Sequence, residues 1–141
     1  MYGIKDVQKI TLTHVGDERG HMVVAEGGKN VPFEFKRLFY IYGTDAQAIR
    51  GQHANRDSAF AMFCVVGSCS VTVMDTTGDK QSYRLSKAQE GIYMPKMLWK
   101  EMYDFSPDAV LLVLSDCHYD ANEYIRDMAL YLGERLKNNV L

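Results

Sequence analysis

Most of the chain consists of short strand-like segments, alternating or rich in apolar residues, that turn residues separate. In the first segment, Val7 to Val15, Ile10 and Leu12 alternate with threonines, and the pattern stops at the turn 16–20. Alternation with period two is typical of a half-buried β-strand, because successive side chains point to opposite faces. Similar segments follow at 21–26, 35–42, 58–66, 70–74, 81–85, 90–94, 98–105 and 109–115. This series of short strands predicts an all-β sandwich or barrel rather than a parallel α/β sheet.

The period changes in the last twenty residues. From Asn122 onward the apolar residues recur at helical spacing, with charged residues between them: Tyr124, Ile125, Met128, Ala129, Tyr131, Leu132 and Leu136. Such spacing predicts a C-terminal amphipathic helix that packs on the β body or on another subunit. Asp120 is positioned to cap its first turn.

The length and the net charge of the chain exclude several classes of protein. The chain has 141 residues without a linker-like stretch, which predicts one domain over residues 1–141. Sixteen basic and eighteen acidic residues give a net charge of -2, so the strong positive charge of a general nucleic-acid binder is absent. The sequence has neither a leader-like N-terminus nor an apolar run long enough for a membrane span, and we expect a cytoplasmic protein without a membrane partner.

The three cysteines favour a reducing compartment. They form no CxxC pair, their number is odd, and Cys64 and Cys69 lie in an apolar, strand-like segment. Buried free thiols are the simplest interpretation of this pattern. The sequence therefore predicts no disulfide framework.

The segment 50–56, which reads Arg-Gly-Gln-His-Ala-Asn-Arg, is the first candidate for chemistry. In an extended segment, one face carries Gly51, His53 and Asn55, and the other carries Gln52, Ala54 and Arg56. His53 and Asn55 therefore point together, and arginines at both ends of the segment supply positive charge. The other three histidines lack such a setting.

The second candidate is the segment 94–103, which contains the chain's only tryptophan, Trp99, followed by Lys100 and Glu101. Two interpretations are open: an edge strand with a large core anchor, or an amphipathic wall of a ligand pocket. The glycine-rich phosphate loops and the GxSxG motif are absent, and no cysteine combines an electropositive setting with a histidine near it in sequence.

Several blocks of the sequence resemble a known family. The blocks are 16–20, 30–37, 39–41, 50–54, 99–105, 110–114, 119–120 and 124–127, in the family's order and spacing. Together they resemble the sugar 3,4-ketoisomerases of the cupin superfamily, which act on dTDP-4-keto-6-deoxyglucose. The resemblance covers residues 12 to 130. It implies an all-β cupin jelly roll (a double-stranded β-helix) with a C-terminal helix.

The resemblance also implies the reaction and its residues. An isomerase of this kind moves the ketone of dTDP-4-keto-6-deoxyglucose from C4 to C3 through an enediolate, in the synthesis of dTDP-amino sugars. His53 would be the base, since a histidine titrates near neutral pH without large perturbation. Tyr40 would donate to the developing oxyanion or carry a proton, Asn55 would hydrogen-bond the enediolate, and Lys100 would supply a cation or a proton donor.

The substrate requires further contacts. Arg50 and Arg56 are the first candidates for binding the diphosphate and Arg19 is the second, because a guanidinium can bind phosphate oxygens in pairs. Trp99 and Glu101 would belong to the substrate-binding wall. The family pairs through β-strands, and the N-terminal strand offers an open edge, so we expect a homodimer.

Two departures from the family pattern affect the chemistry. The family usually reads His-Ala-His-Lys where this chain has His53, Ala54, Asn55 and Arg56, and it often has histidine or arginine at the position of Lys100. Metal-binding cupins need more histidine and carboxylate ligands than these motifs contain, so we expect neither metal nor another cofactor. Two alternatives remain open: a non-catalytic cupin that binds a sugar nucleotide, and a dTDP-sugar 3,5-epimerase.

Overall fold

The protein folds as a sandwich of antiparallel strands with one C-terminal helix. The structure is a computed structural model that describes the backbone of residues 1–139 and the side chains of residues 1–137. Its elements are β1 (Gln8–Thr11), β2 (Thr13–Asp17), β3 (Gly20–Val24), β4 (Arg37–Tyr42), β5 (Arg50–Asn55), β6 (Phe60–Val66), β7 (Cys69–Met74), β8 (Lys80–Leu85), β9 (Glu90–Met94), β10 (Trp99–Tyr103), β11 (Val110–Ser115), β12 (Tyr124–Ile125) and α1 (Met128–Asn139).

Two five-stranded sheets face each other. The first has the order β1-β9-β6-β11-β4 and the second the order β12-β5-β10-β7-β8. All their pairings are antiparallel, and β2 and β3 form a separate hairpin. Consecutive strands often lie in different sheets, as in the jelly roll that the resemblance implied.

The main core lies between the two sheets. It combines Met62, Leu111 and Val113 from the first sheet with Val71 and Val73 from the second. A second cluster covers the outer face of the first sheet, where Val31 packs on Phe63 and Leu114. Both faces of the first sheet are therefore buried around β6, whereas the exposed face of β4 carries Leu38, Tyr40 and Tyr42.

The sequence predicts one continuous N-terminal strand from Val7 to Val15, but the structure has two strands there. The segment breaks at Leu12, whose backbone N–H donates to the Gln89 carbonyl instead. Its first half, β1, pairs with β9, while its second half, β2, turns away and pairs with β3. Alternation alone could not show this change of partner, because both halves keep period two.

The predicted helix begins six residues later than expected. Tyr124 and Ile125 are not helical but form β12, which pairs with Asn55 and Ala54 of β5. Asp120 caps a short 3-10 turn, where its side chain accepts from the Asn122 N–H. The cap of α1 is Asp127, whose carboxylate accepts from the Leu130 N–H at 2.9 Å.

Helix α1 packs on the outer face of the second sheet. Tyr131 is fully buried there, and its ring lies 5.6 Å from that of Trp99. The Tyr131 hydroxyl is 2.9 Å from the Met74 carbonyl and 2.8 Å from the Met97 carbonyl. None of the described helices is long and apolar enough to cross a lipid bilayer.

Candidate active site

A cavity of about 240 Å³ opens between the two sheets where β4, β5 and β12 meet. Its walls come from five strands: Phe39, Tyr40, Ile41, Arg50, Gly51, His53, Phe60, Met62, Lys100, Met102 and Tyr124. Hollows of about 470 and 670 Å³ lie near the N-terminus, but neither contains a histidine. Unlike these two hollows, the cavity between the sheets contains both a candidate base, His53, and a candidate acid, Lys100.

A backbone irregularity at the start of β5 sets the direction of His53. Gly51 and Gln52 both have positive φ, at +84° and +57°, and the pairing of β5 with β10 shifts by one residue between Lys100 and Glu101. After this bulge, His53 lies opposite Lys100, and side chains on opposite residues of paired strands share a face. His53 and Lys100 therefore both face the cavity.

One hydrogen bond fixes the tautomer of His53. Its Nδ1 lies 3.0 Å from the Gly51 carbonyl oxygen. A carbonyl only accepts, so Nδ1 carries the proton and Nε2 keeps the lone pair of a base. The ring also packs against Tyr124, with 4.8 Å between the ring centres.

Burial and, to a smaller extent, the positive charge of Lys100 lower the pKa of His53 from 6.5 to about 4. The hydrogen bond to Gly51 opposes this shift. The sequence-based expectation of a near-neutral pKa therefore does not hold for His53 in this cavity. At neutral pH His53 is uncharged and able to accept a proton.

Lys100 is a buried cation at the inner wall of the cavity, with 3% of its surface exposed. Its Nζ donates to the Asn55 Oδ1 at 2.9 Å and lies 4.6 Å from the centre of the Phe60 ring. Burial lowers the pKa of Lys100 to about 7; the Glu123 carboxylate raises it and Arg37 lowers it. Near neutral pH the amine can therefore both give and take a proton.

Two residues around Lys100 were not identified from the sequence. Glu123 is buried, and its carboxylate accepts from the Ser58 N–H at 3.0 Å and from the Ser58 hydroxyl at 2.7 Å. Arg37 lies over the rings of Phe39 and Phe60 at 5.7 and 5.8 Å. Glu123 falls within the predicted helix, and Arg37 ends the block 30–37 of the family resemblance, but nothing in either pattern indicates a position beside Lys100.

Asn55 lies behind Lys100 rather than at the cavity surface. Its Oδ1 is occupied by the Lys100 ammonium, and its buried Nδ2 has no partner among the described residues. Tyr40 borders the cavity at the edge strand β4, but it shares the exposed face of this strand with Leu38 and Tyr42, whereas Phe39 and Ile41 pack on the core between the sheets. Of the predicted catalytic residues, His53 and Lys100 therefore face the cavity, Asn55 supports Lys100, and Tyr40 lies at the rim.

The three predicted phosphate-binding arginines lie in different places. Arg50 is exposed and lines the cavity. Arg56 is on the opposite face of the sheet, where its guanidinium donates to Glu134 of α1 at 3.0 Å. Arg19 lies at the turn of the β2–β3 hairpin and pairs with Asp17 at 2.6 Å, so neither Arg19 nor Arg56 contributes to the cavity wall of its own chain.

Trp99 and Glu101 also lie outside the cavity. Lys100 and Met102 face inward from β10, and period-two alternation directs the residues between and beside them outward. Trp99 packs in the cluster of Tyr131, Ala54 and Ile125 under α1. Trp99 is therefore a core anchor, but β10 is a central strand and not the edge strand of that interpretation, and its other face contributes Lys100 and Met102 to the cavity wall.

The described residues contain no group of three or more histidine, cysteine or acidic side chains that could hold a metal ion. Lys100 occupies the inner wall, and an ammonium group does not ligate a cation.

Comparisons with known proteins identify the family of this chain. The family model described as "FdtA: WxcM-like, C-terminal" matches residues 5–135. This chain belongs to that family. A curated relative, the TDP-4-oxo-6-deoxy-alpha-D-glucose-3,4-oxoisomerase of Aneurinibacillus thermoaerophilus, is 38% identical over 117 residues, which is 83% of this chain and 84% of the relative.

Solved structures of ketoisomerases share the whole fold. A mutant of the 3,4-ketoisomerase QdtA from Thermoanaerobacterium thermosaccharolyticum, in complex with TDP-4-keto-6-deoxyglucose, has a TM-score of 0.91 and 29% identity over 98% of this chain and 99% of that one. The TDP-fucose-3,4-ketoisomerase WlaRA from Campylobacter jejuni has a TM-score of 0.86 and 38% identity over 96% and 98%. A Streptomyces spheroides 4-keto-6-deoxy sugar epimerase, at 20% identity and a TM-score of 0.73 over 88% and 70%, shares the fold alone.

Proposed function

We propose that this protein is a 3,4-ketoisomerase of a dTDP-linked 4-keto-6-deoxyglucose. The observation that carries the proposal is the pairing of an uncharged His53 with a buried Lys100 on one wall of a cavity in this fold. Proton transfer next to a ketone needs a base at carbon and an acid at oxygen, and these two side chains supply both.

His53 begins the reaction as the base at carbon. Its Nε2 removes the proton from C3, and the electron pair of that bond forms the C3–C4 double bond while charge develops on O4. The Lys100 ammonium donates a proton to O4, which gives an enediol instead of a free oxyanion. A positioned cation in a closed cavity stabilises this charge more than water does.

The second half returns both protons to new positions. The amine of Lys100 takes the proton from O3, so that the ketone forms at C3, and the His53 imidazolium gives its proton to C4. Each group ends in its starting state, and the sugar has only exchanged its carbonyl and hydroxyl positions. Asn55 holds the Lys100 Nζ in place throughout.

The direct test is incubation with dTDP-4-keto-6-deoxyglucose followed by NMR of the product. We expect a dTDP-3-keto-6-deoxyhexose, with full activity after EDTA treatment. Inversion at C5 would instead support the epimerase alternative, and binding without turnover would support a non-catalytic sugar-nucleotide-binding cupin. A 3-keto product suits a later aminotransferase that makes a 3-amino sugar.

We also propose that the protein is a homodimer. The β2–β3 hairpin exposes Val15 and Met22, and the edge strand β4 exposes Leu38 and Tyr42. A row of exposed apolar side chains beside an open strand edge is a typical site of association.

Sedimentation equilibrium at micromolar concentration should give twice the chain mass of 16.1 kDa. Leu38→Asp should shift the equilibrium toward monomer, because a carboxylate in an apolar interface loses its hydration. Leu136→Asp, on the exposed face of α1, is the control and should leave the dimer intact. A mass of one chain for the unaltered protein would refute the dimer.

A further inference from the structure

Arg126 is an exposed arginine beside the catalytic cavity that no sequence motif marked as a site residue. It follows β12, the strand that pairs with the His53 strand through Tyr124 and Ile125. Its guanidinium carbon lies 4.9 Å from the centre of the Tyr124 ring, and the same ring contacts His53 at 4.8 Å. Arg126 is therefore held on the cavity side of β12, separated from the base by one aromatic ring.

Arg126 makes no ion pair with a described carboxylate, unlike Arg56, which is paired with Glu134. Stacking on Tyr124 restricts the side chain but leaves the N–H groups of the guanidinium open to solvent. A cation held in position without a carboxylate partner is suited to binding an anion from outside the protein.

The size of the cavity places the diphosphate close to Arg126. At about 240 Å³ the cavity is smaller than the roughly 300–1,000 Å³ of a pocket for a complete drug-sized ligand. It therefore encloses the reacting sugar and leaves the nucleoside diphosphate outside. With C3 of the sugar at His53, the diphosphate leaves through the opening that Arg50 and Tyr124 border.

We propose, on the basis of the function proposed above, that Arg126 binds the diphosphate of the sugar nucleotide together with Arg50. In this arrangement two guanidinium groups from neighbouring strands approach the phosphate oxygens from two sides, and Tyr124 is the platform that orients one of them. Arg126 thus takes the role for which the sequence suggested Arg56.

Binding at Arg126 has a consequence for the base. The charged groups that act on His53 are Lys100 from β10, Arg126 from the segment after β12, and Glu123 from the turn before it; Arg50 lies on its own strand. The positive charge of Arg126 disfavours the protonated form of His53, and a bound diphosphate would offset that charge. The pKa of His53 therefore rises when the nucleotide binds, and the base becomes stronger only once substrate is present.

Calorimetric titration with dTDP and with thymidine tests the assignment. Arg126→Gln should weaken dTDP binding at least ~10-fold, since hydrogen bonds to charged groups are the strong ones, and should leave thymidine binding unchanged. The matched control Arg56→Gln should change neither. NMR of labelled histidine should show the His53 pKa rising on addition of dTDP, and rising less in Arg126→Gln.

Unchanged dTDP affinity in Arg126→Gln would overturn the proposal. An equal loss for thymidine would also overturn it, because the residue would then support the fold or the nucleoside site. The binding titrations do not depend on turnover of the sugar. Selective loss of dTDP binding in a protein that does not isomerise the sugar would therefore support Arg126 while refuting the ketoisomerase function.

Discussion

His53→Asn should lower kcat at least ~10²-fold, the lower end of what a positioned general base contributes. Asparagine is similar in size and can still donate to the Gly51 carbonyl, so the wall of the cavity is kept while the lone pair of Nε2 is lost. Binding of dTDP should remain close to normal, because the diphosphate contacts belong to arginines. Turnover measured by NMR, together with calorimetric titration with dTDP, separates these two effects.

Isotope exchange isolates the step that His53 performs. In D₂O the unaltered enzyme should exchange the C3 proton of bound substrate for solvent deuterium, and His53→Asn should not. His118→Asn is the matched control, since His118 is exposed and lies outside the cavity, and it should retain both turnover and exchange. Near-normal turnover in His53→Asn would show that His53 is not the base and would leave Lys100 as the candidate that faces the cavity.

Lys100→Met should also lower kcat, by about 10²-fold, because both oxygen protons are transferred through its Nζ. Methionine fills a similar volume without a proton to give. Lys96→Met removes an exposed lysine from the loop before β10 and should leave kcat unchanged. Comparable kcat values for the two variants would show that O3 and O4 exchange protons by another route.

The pH dependence of kcat/KM separates the two groups. His53 has to be uncharged, so activity is lost as the pH falls through about 4; Lys100 has to be protonated, so activity is lost as the pH rises through about 7. In Lys100→Arg the side chain stays charged at every pH of the experiment. The residual activity of this variant should therefore no longer fall as the pH rises through about 7. An unaltered alkaline limb in this variant would assign that limb to another group.

Most strands follow from the alternation of the sequence, whereas their partners do not. The pattern at Val7 to Val15 continues through Leu12 although the chain changes from the first sheet to a hairpin there. Tyr124 and Ile125 fit a helical period with Met128, yet they pair with β5, about seventy residues away in sequence. A strand of two residues is set by this distant contact, and local spacing contains no information about it.

Alternation predicted the placement of the candidate site residues where it was applied consistently. His53 and Asn55 share a face, as expected, and both approach Lys100. The same rule places Arg56 on the opposite face from His53, so its separation from the cavity was already implied by the sequence. Trp99 and Glu101 lie outside the cavity for the same reason, because the neighbours of an inward-facing Lys100 have to face outward.

The burial of Lys100 could not be predicted from the sequence. Lysine is among the residues least often buried, and only the fold reveals that Asn55, Phe60 and Glu123 surround this one. Its lowered pKa is a result of that environment. The chemistry of the site therefore depends on contacts between segments that are far apart in the chain.

The bulge at Gly51 limits how this enzyme can be altered. A Cβ atom at this position would lie 2.8 Å from the Lys100 carbonyl oxygen and 3.1 Å from the Met102 sulfur, and its φ of +84° is unfavourable for any side chain. A substitution there would push β5 away from β10 and separate the base from the proton donor without changing either residue. In a library that randomises residues 50–56 and selects for turnover, position 51 should accept glycine alone, while the exposed Gln52 beside it tolerates small polar residues.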